Sequence, residues 1–109
     1  MMIAIQARDL SLTQSLRGHV YKRLAFTLGR CSSRVHRVEV RLSDINGPRG
    51  GVDKSCKIKV QLPGKPDIVV EDVQADLYTA IDRAAGRAGR TLARRLHRSL
   101  PADRGPAIA

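Results

Sequence analysis

Five arginines, Arg83, Arg87, Arg90, Arg94 and Arg98, recur at steps of four, three, four and four residues. At about 100° per residue this places them along one line of a helix. Guanidinium groups stacked in this way repel one another unless anions sit nearby, and each presents a planar fork that matches two oxygens of a phosphate. The chemistry they suit is polyanion binding. A face that serves solubility alone normally mixes signs, whereas the only acid of this segment aligned with the stripe is Asp76 at its start.

Other reactive side chains form no comparable set. His19, His36 and His97 fall on three different elements, with no Ser or Cys at a spacing that would make a nucleophile and base pair. Asp44-Ile45-Asn46-Gly47 begins like a calcium loop, but Pro48 and Arg49 follow where ligands are needed and no coordinating Glu comes later. Cys31 and Cys56 lack the close His neighbours of a zinc site. No enzyme, metal or cofactor is expected. The glycine-rich segment 45–53 is a turn in its simplest reading; its backbone N–H groups, with Arg49 and Lys54 beside them, also suit a phosphate.

The whole chain points the same way. Twenty Lys and Arg against ten Asp and Glu give a formal charge of +10 over 109 residues. The resulting isoelectric point, near 10.8, favours nucleic acid or an anionic membrane as partner. Membrane-surface helices carry Trp, Phe or Leu at the lipid level, but this chain has no Trp and one Phe, so nucleic acid is preferred and no membrane partner is expected. The N-terminal residues lack a basic stretch followed by an apolar one, so no signal peptide is read and a cytoplasmic location is expected. Cys56, in phase with Ile58, Val60 and Leu62, is a small buried hydrophobe, while Cys31 in a loop is a free thiol.

The elements that must position the stripe can be read from periodicity. Residues 2–8 alternate as a first strand, with Ile3, Ile5 and Ala7 on one side. Leu16, Val20, Leu24 and Leu28 then recur every four residues in a helix capped by Ser11 or, preferably, Thr13 and ended by Gly29. Its exposed side carries His19, Lys22, Arg23, Phe26 and, past the glycine, Arg30. Strands follow over 35–44, 54–62 and 68–73, and the Arg-rich helix over 76–98 buries Leu77, Ile81, Ala84, Ala85, Ala88, Leu92 and Leu96. A helix between the first two strands requires them to pair in parallel. The expected fold is α+β: a β-α-β-β-β-α sandwich of two layers, with both helices on one face of a four-stranded mixed sheet. Residues 1–100 form the domain and 101–109 a disordered tail. Arg8, Arg37, Arg41, Lys57 and Lys59 point to the open face, where a base-stacking sheet would need aromatics. Gly86 and Gly89 leave one flank of the long helix without bulk, for close approach of either the first helix or an RNA strand.

The stretches Arg37-Val-Glu-Val-Arg-Leu-Ser-Asp44, Asn46-Gly-Pro-Arg-Gly-Gly-Val-Asp-Lys54 with Cys56 beyond, and Asp76-Leu-Tyr-Thr-Ala-Ile-Asp82 resemble the ribosome hibernation-promoting factors. These are also described as ribosome-associated translation inhibitors or sigma-factor modulation proteins. The resemblance runs from Met2 to about Arg98. It implies a fold similar to double-stranded RNA-binding domains, and binding to rRNA in the mRNA and tRNA channel of the small ribosomal subunit, so that translation is blocked by occlusion. Basic residues of both helices contact rRNA in that family, which corresponds here to Lys22, Arg23, Arg83, Arg87, Arg90 and Arg94; Arg30, Arg49, Lys54 and Arg98 join them on charge and position. Long members carry a further domain that pairs ribosomes. This chain resembles a short form, a monomer off the ribosome, that would need a separate dimerising factor for pairing. The alternatives are a general double-stranded RNA binder and a protein-interaction module that modulates a transcription factor.

Overall fold

The computed structural model describes residues 1–45 and 53–98, and for residues 97 and 98 the backbone alone. The glycine-rich segment with Arg49, and the tail 101–109, lie outside the described residues. The elements are β1 (Met2–Arg8), α1 (Gln14–Leu28), a 3₁₀ segment (Gly29–Arg34), β2 (Arg37–Asp44), β3 (Lys54–Gln61), β4 (Ile68–Gln74) and α2 (Leu77–Arg98). The strands lie in chain order across one sheet. β1 pairs in parallel with β2, as a strand-helix-strand connection requires, and β2, β3 and β4 pair antiparallel.

The register explains how the core is filled. Val38, Val40 and Leu42 of β2 oppose Val60, Ile58 and Cys56 of β3, while Ile3 and Ile5 of β1 oppose Val38 and Val40. Because side chains alternate along a strand, these pairs share a face, and they join the buried residues of both helices in one cluster. From α1 come Leu16, Val20, Leu24 and Leu28; from α2 come Ala80, Ile81, Ala84, Ala85, Ala88, Leu92 and Leu96, all buried. Leu77, expected in the core, is only partly buried at the first turn. The two-layer α+β architecture with both helices over one face of a mixed sheet is thereby observed.

Helix ends show where local chemistry acts. Thr13 caps α1, its Oγ1 accepting from Leu16 N at 3.1 Å, and Asp76 caps α2, its Oδ2 accepting from Thr79 N at 3.0 Å. α1 ends ahead of Gly29 as expected, but not through the left-handed turn common at such a glycine. The α-helix stops at Leu28, but Gly29 has φ −57° and ψ −37°, so the chain tightens into the 3₁₀ segment instead of turning through a left-handed glycine. Val35 N then donates to Ser32 O at 3.2 Å, which ties Val35 to that segment and delays β2 to Arg37. Among the described residues the left-handed positions are Asp9 (φ 61°), at the exit of β1, and Gly64 (φ 72°), in the turn between β3 and β4.

Gly89 accounts for the spacing of the two helices. A Cβ there would lie 2.6 Å from Thr27 O of α1, so the helices meet backbone to side where only hydrogen fits. At Gly86, the nearest such neighbour is Arg90 Nη1 at 3.4 Å. Of the two approaches expected from the sequence, the first helix occupies the Gly89 position, and Gly86 stays open.

Candidate nucleic-acid interface

Close packing of α1 on α2 brings their basic faces side by side. Asp82 of α2 lies between them: His19 Nε2 is 2.7 Å from Asp82 Oδ1, and Arg23 Nε lies 3.2 Å from the same oxygen without hydrogen-bond alignment. The His19 ring also meets Tyr78, with centroids 4.8 Å apart. One carboxylate thus joins the two helices and fixes Arg23 at the seam. The Arg23 guanidinium reaches over the Phe26 ring, 5.4 Å from its centroid. That cation–π contact gives the largely exposed Phe26 (77%) a role in orienting an arginine.

The stripe on α2 divides into two parts. Arg83 Nε and Arg87 Nη2 each lie 3.6 Å from Asp72 Oδ2 of β4, and Arg87 also donates to Glu71 O. Asp72 is missed by a reading of α2 alone. Its signal was the strand period, since Asp72 follows Ile68 and Val70 on the face turned toward the helices, where a carboxylate needs a cationic partner. Arg90 and Arg94 have no carboxylate within 4.0 Å among the described residues; the same holds for Lys22 and Arg30 of the α1 side. A shallow cleft of about 350 Å³ is lined by Gly86, by Arg23, Arg83, Arg87 and Arg90, and by the carboxylates Asp72 and Asp82. Its guanidinium forks suit phosphate; Arg23, Arg83 and Arg87 lie beside the two carboxylates, and Arg90 has none within 4.0 Å among the described residues.

Lys54 is placed differently. Its Nζ lies 2.8 Å from Asp53 Oδ1 and 3.4 Å from Asp44 Oδ2, and the hydrogen bond to Asp53 holds its pKa above the usual lysine value. Asp53 is fully buried, and Ile45 N donates to Asp53 O at 2.8 Å. Lys54 therefore neutralises the carboxylates at the base of the glycine-rich segment. Seven of the ten expected contact residues, Lys22, Arg23, Arg30, Arg83, Arg87, Arg90 and Arg94, lie on the helical layer; Lys54 does not, and Arg49 and the Arg98 side chain are outside the described residues. On the inner face Cys56 is fully buried. Desolvation, aided by Asp72 and Glu71, pushes its thiol pKa up to about 12. Cys31 is a free, half-buried thiol.

Fold and site together define a two-layer α+β domain whose helical layer carries unneutralised arginines. Residues 3–99 match the family model described as sigma 54 modulation protein / S30EA ribosomal protein, and the chain belongs to that family. It is similar to the N-terminal domain of Protein Y from Thermus thermophilus, at 33% identity and a TM-score of 0.71, covering 87% of this chain and 99% of that one. A ribosomal subunit interface protein from Coxiella burnetii shares the fold at 18% identity and a TM-score of 0.74, covering 88% and 98%. No curated protein sequence matches the chain. No described helix is long and apolar enough to cross a membrane.

Proposed function

We propose that the protein binds the small ribosomal subunit through the paired basic faces of α1 and α2, contacting rRNA phosphates in the mRNA and tRNA channel and blocking translation by occlusion. The observation that carries this reading is the distribution of free charge. Lys22, Arg30, Arg90 and Arg94 have no acidic partner among the described residues, and they flank a seam held rigid by Asp82. The planar guanidinium fork of Arg30, Arg90 and Arg94 is pre-organised, so less freedom is lost per hydrogen bond to phosphate. Membership of a family described as ribosomal supports the choice of rRNA among polyanions. The first turn of α2 argues against a generic duplex reader, because Asp76 caps it and a negative charge there repels a phosphate across a groove.

The test is co-sedimentation with ribosomes and separated subunits, with and without mRNA and initiator tRNA bound. Binding to the small subunit that is lost when those sites are filled is the expected result. Binding that ignores occupancy, or that is equal on any duplex RNA, overturns it.

A further inference from the structure

The face of the sheet turned away from the helices has its own charge pattern. The register sets Arg41 of β2 directly opposite Lys57 of β3. Like charges in a cross-strand pair are destabilising, so this arrangement has a cost in the free protein unless an anion is supplied. The acids on the same face do not supply it. Glu39 is engaged with Arg37, whose Nε donates to its Oε2 at 3.1 Å. Glu71 lies opposite Lys57 in the register, but its Oε2 accepts from Ser55 Oγ at 2.9 Å, and no ion pair joins it to Lys57. Lys59 reaches Asp67 at 3.8 Å. Arg8, Arg41 and Lys57 have no carboxylate within 4.0 Å among the described residues.

The shape suits a ligand as well. Ala4 and Gln6 of β1 are short or neutral where their neighbours are long and charged. They leave two adjoining depressions, of about 220 and 590 Å³, that share Gln6 and Arg41. No aromatic side chain lies on the strands of this face, so it offers charge and hydrogen-bond donors without platforms for bases. That combination recognises a sugar–phosphate backbone and ignores sequence.

We propose that the open sheet face is a second binding surface for an RNA phosphate backbone, centred on Arg41 and Lys57 and extended by Arg8, so that one domain joins two RNA segments, one on each side. This rests on the RNA-binding reading of the helical layer and adds an opposite, independent contact. A domain of this kind would hold two parts of a folded RNA at a fixed distance.

The experiment measures stoichiometry and salt dependence with a short blunt RNA duplex at low ionic strength, where phosphate contacts on either face take up any duplex, more weakly than the helical face takes up the ribosome, using analytical ultracentrifugation and fluorescence anisotropy on the full chain. Wild type is expected to take up two duplexes per protein. Arg41→Gln with Lys57→Gln should take up one, and the slope of log affinity against log salt summed over both sites should shrink by roughly 1.8 or more, the share of at least two phosphate contacts. The melting temperature of this variant should be no lower than that of wild type, since a repulsive pair is removed. Arg8→Gln, at the exposed edge strand, should reduce the slope by about half as much. Arg90→Gln with Arg94→Gln should abolish the other site and ribosome co-sedimentation while keeping one duplex. Unchanged stoichiometry and slope in the folded Arg41/Lys57 variant would refute the second surface. Undiminished ribosome binding by the Arg90/Arg94 variant would instead refute the helical-face reading.

Discussion

Replacing Gly89 by Ala tests the geometry that holds the two basic helices together. Ala is favoured over Gly in a helix interior by about 1 kcal/mol, so the substitution should stabilise the domain if space exists. It does not: the new Cβ would sit 2.6 Å from Thr27 O, 3.0 Å from Thr27 Cβ and 3.2 Å from Thr27 C. Two of these atoms belong to the backbone, so α1 itself must retreat. Overpacking of this kind costs about 1–3 kcal/mol, leaving a net loss on the order of 1 kcal/mol. Gly86→Ala provides the reference, because its Cβ meets only the end of a flexible side chain, Arg90 Nη1 at 3.4 Å. It should gain the full propensity term of about 1 kcal/mol. The propensity contribution cancels between the two variants, and their difference isolates the steric cost at the seam. A gap of about 2 kcal/mol corresponds to roughly 10 °C in melting temperature for a domain of this size. Urea denaturation followed by circular dichroism, with equal slopes for both variants, measures it. Equal stabilities, or a Gly89→Ala protein as stable as Gly86→Ala, would refute the close approach of α1.

Three further outcomes follow from the same contacts. Gly86→Leu should leave the fold intact, since the position is open, yet lower RNA affinity several-fold by filling the cleft beside Arg90; unchanged affinity in a filter-binding assay would remove the cleft from the interface. Asp72→Asn should shift stability and binding in opposite senses. Arg83 and Arg87 are substantially exposed, so solvent screening limits the loss of their pairing to about 1 kcal/mol of stability, while RNA binding should tighten because two guanidinium groups lose an internal competitor; weaker binding would contradict it. Cys31 should react with a thiol reagent in the native state and Cys56 only on unfolding. The buried thiol stays protonated up to about 12, whereas an unfolded one ionises near 8.5. Between these values the native state binds the extra proton, so stability contributed by Cys56 falls as pH rises, by about 1.4 kcal/mol per pH unit. The raised pKa of Lys54 acts in the same direction; denaturation of Cys56→Ala across this range should therefore show a shallower decline, and an identical decline would contradict the assignment to Cys56.

The strands, to within two residues at their ends, and both helix starts were legible because they depend on nearest neighbours in the chain. Alternation along β1, β2 and β3 and the four-residue step of α1 are local signals, and Thr13 and Asp76 cap through bonds to residues three positions on. The end of α1 was less legible. A glycine after a helix suggests a left-handed stop, but whether Gly29 adopts it depends on how the following residues reach β2, and here Ser32 and Val35 draw the chain into a 3₁₀ turn. The state of the arginine stripe was not legible from the stripe at all. Arg83 and Arg94 have the same residue type and helical phase, yet one meets Asp72 and the other does not, because β4 places its inward carboxylate beside the early turns, while the late turns meet the chain near Pro66.

That difference has a functional consequence. Of the ten acids in the chain, only Asp103 lies outside the described residues. Asp82 ties α1 to α2, Asp72 ties α2 to β4, Asp44 and Asp53 hold Lys54, and Asp76 caps a helix. Each of these carboxylates stands where two elements must meet or a helix must begin. Their effect is to neutralise the arginines and lysines that pack against the fold and to leave unneutralised those that face outward. Part of the formal charge of +10 is therefore left unneutralised on the outer side of the helices at Lys22, Arg30, Arg90 and Arg94, and on the sheet at Arg8, Arg41 and Lys57. Raising the salt concentration should accordingly weaken RNA binding steeply while barely changing stability, because partly exposed ion pairs contribute little to stability in the first place.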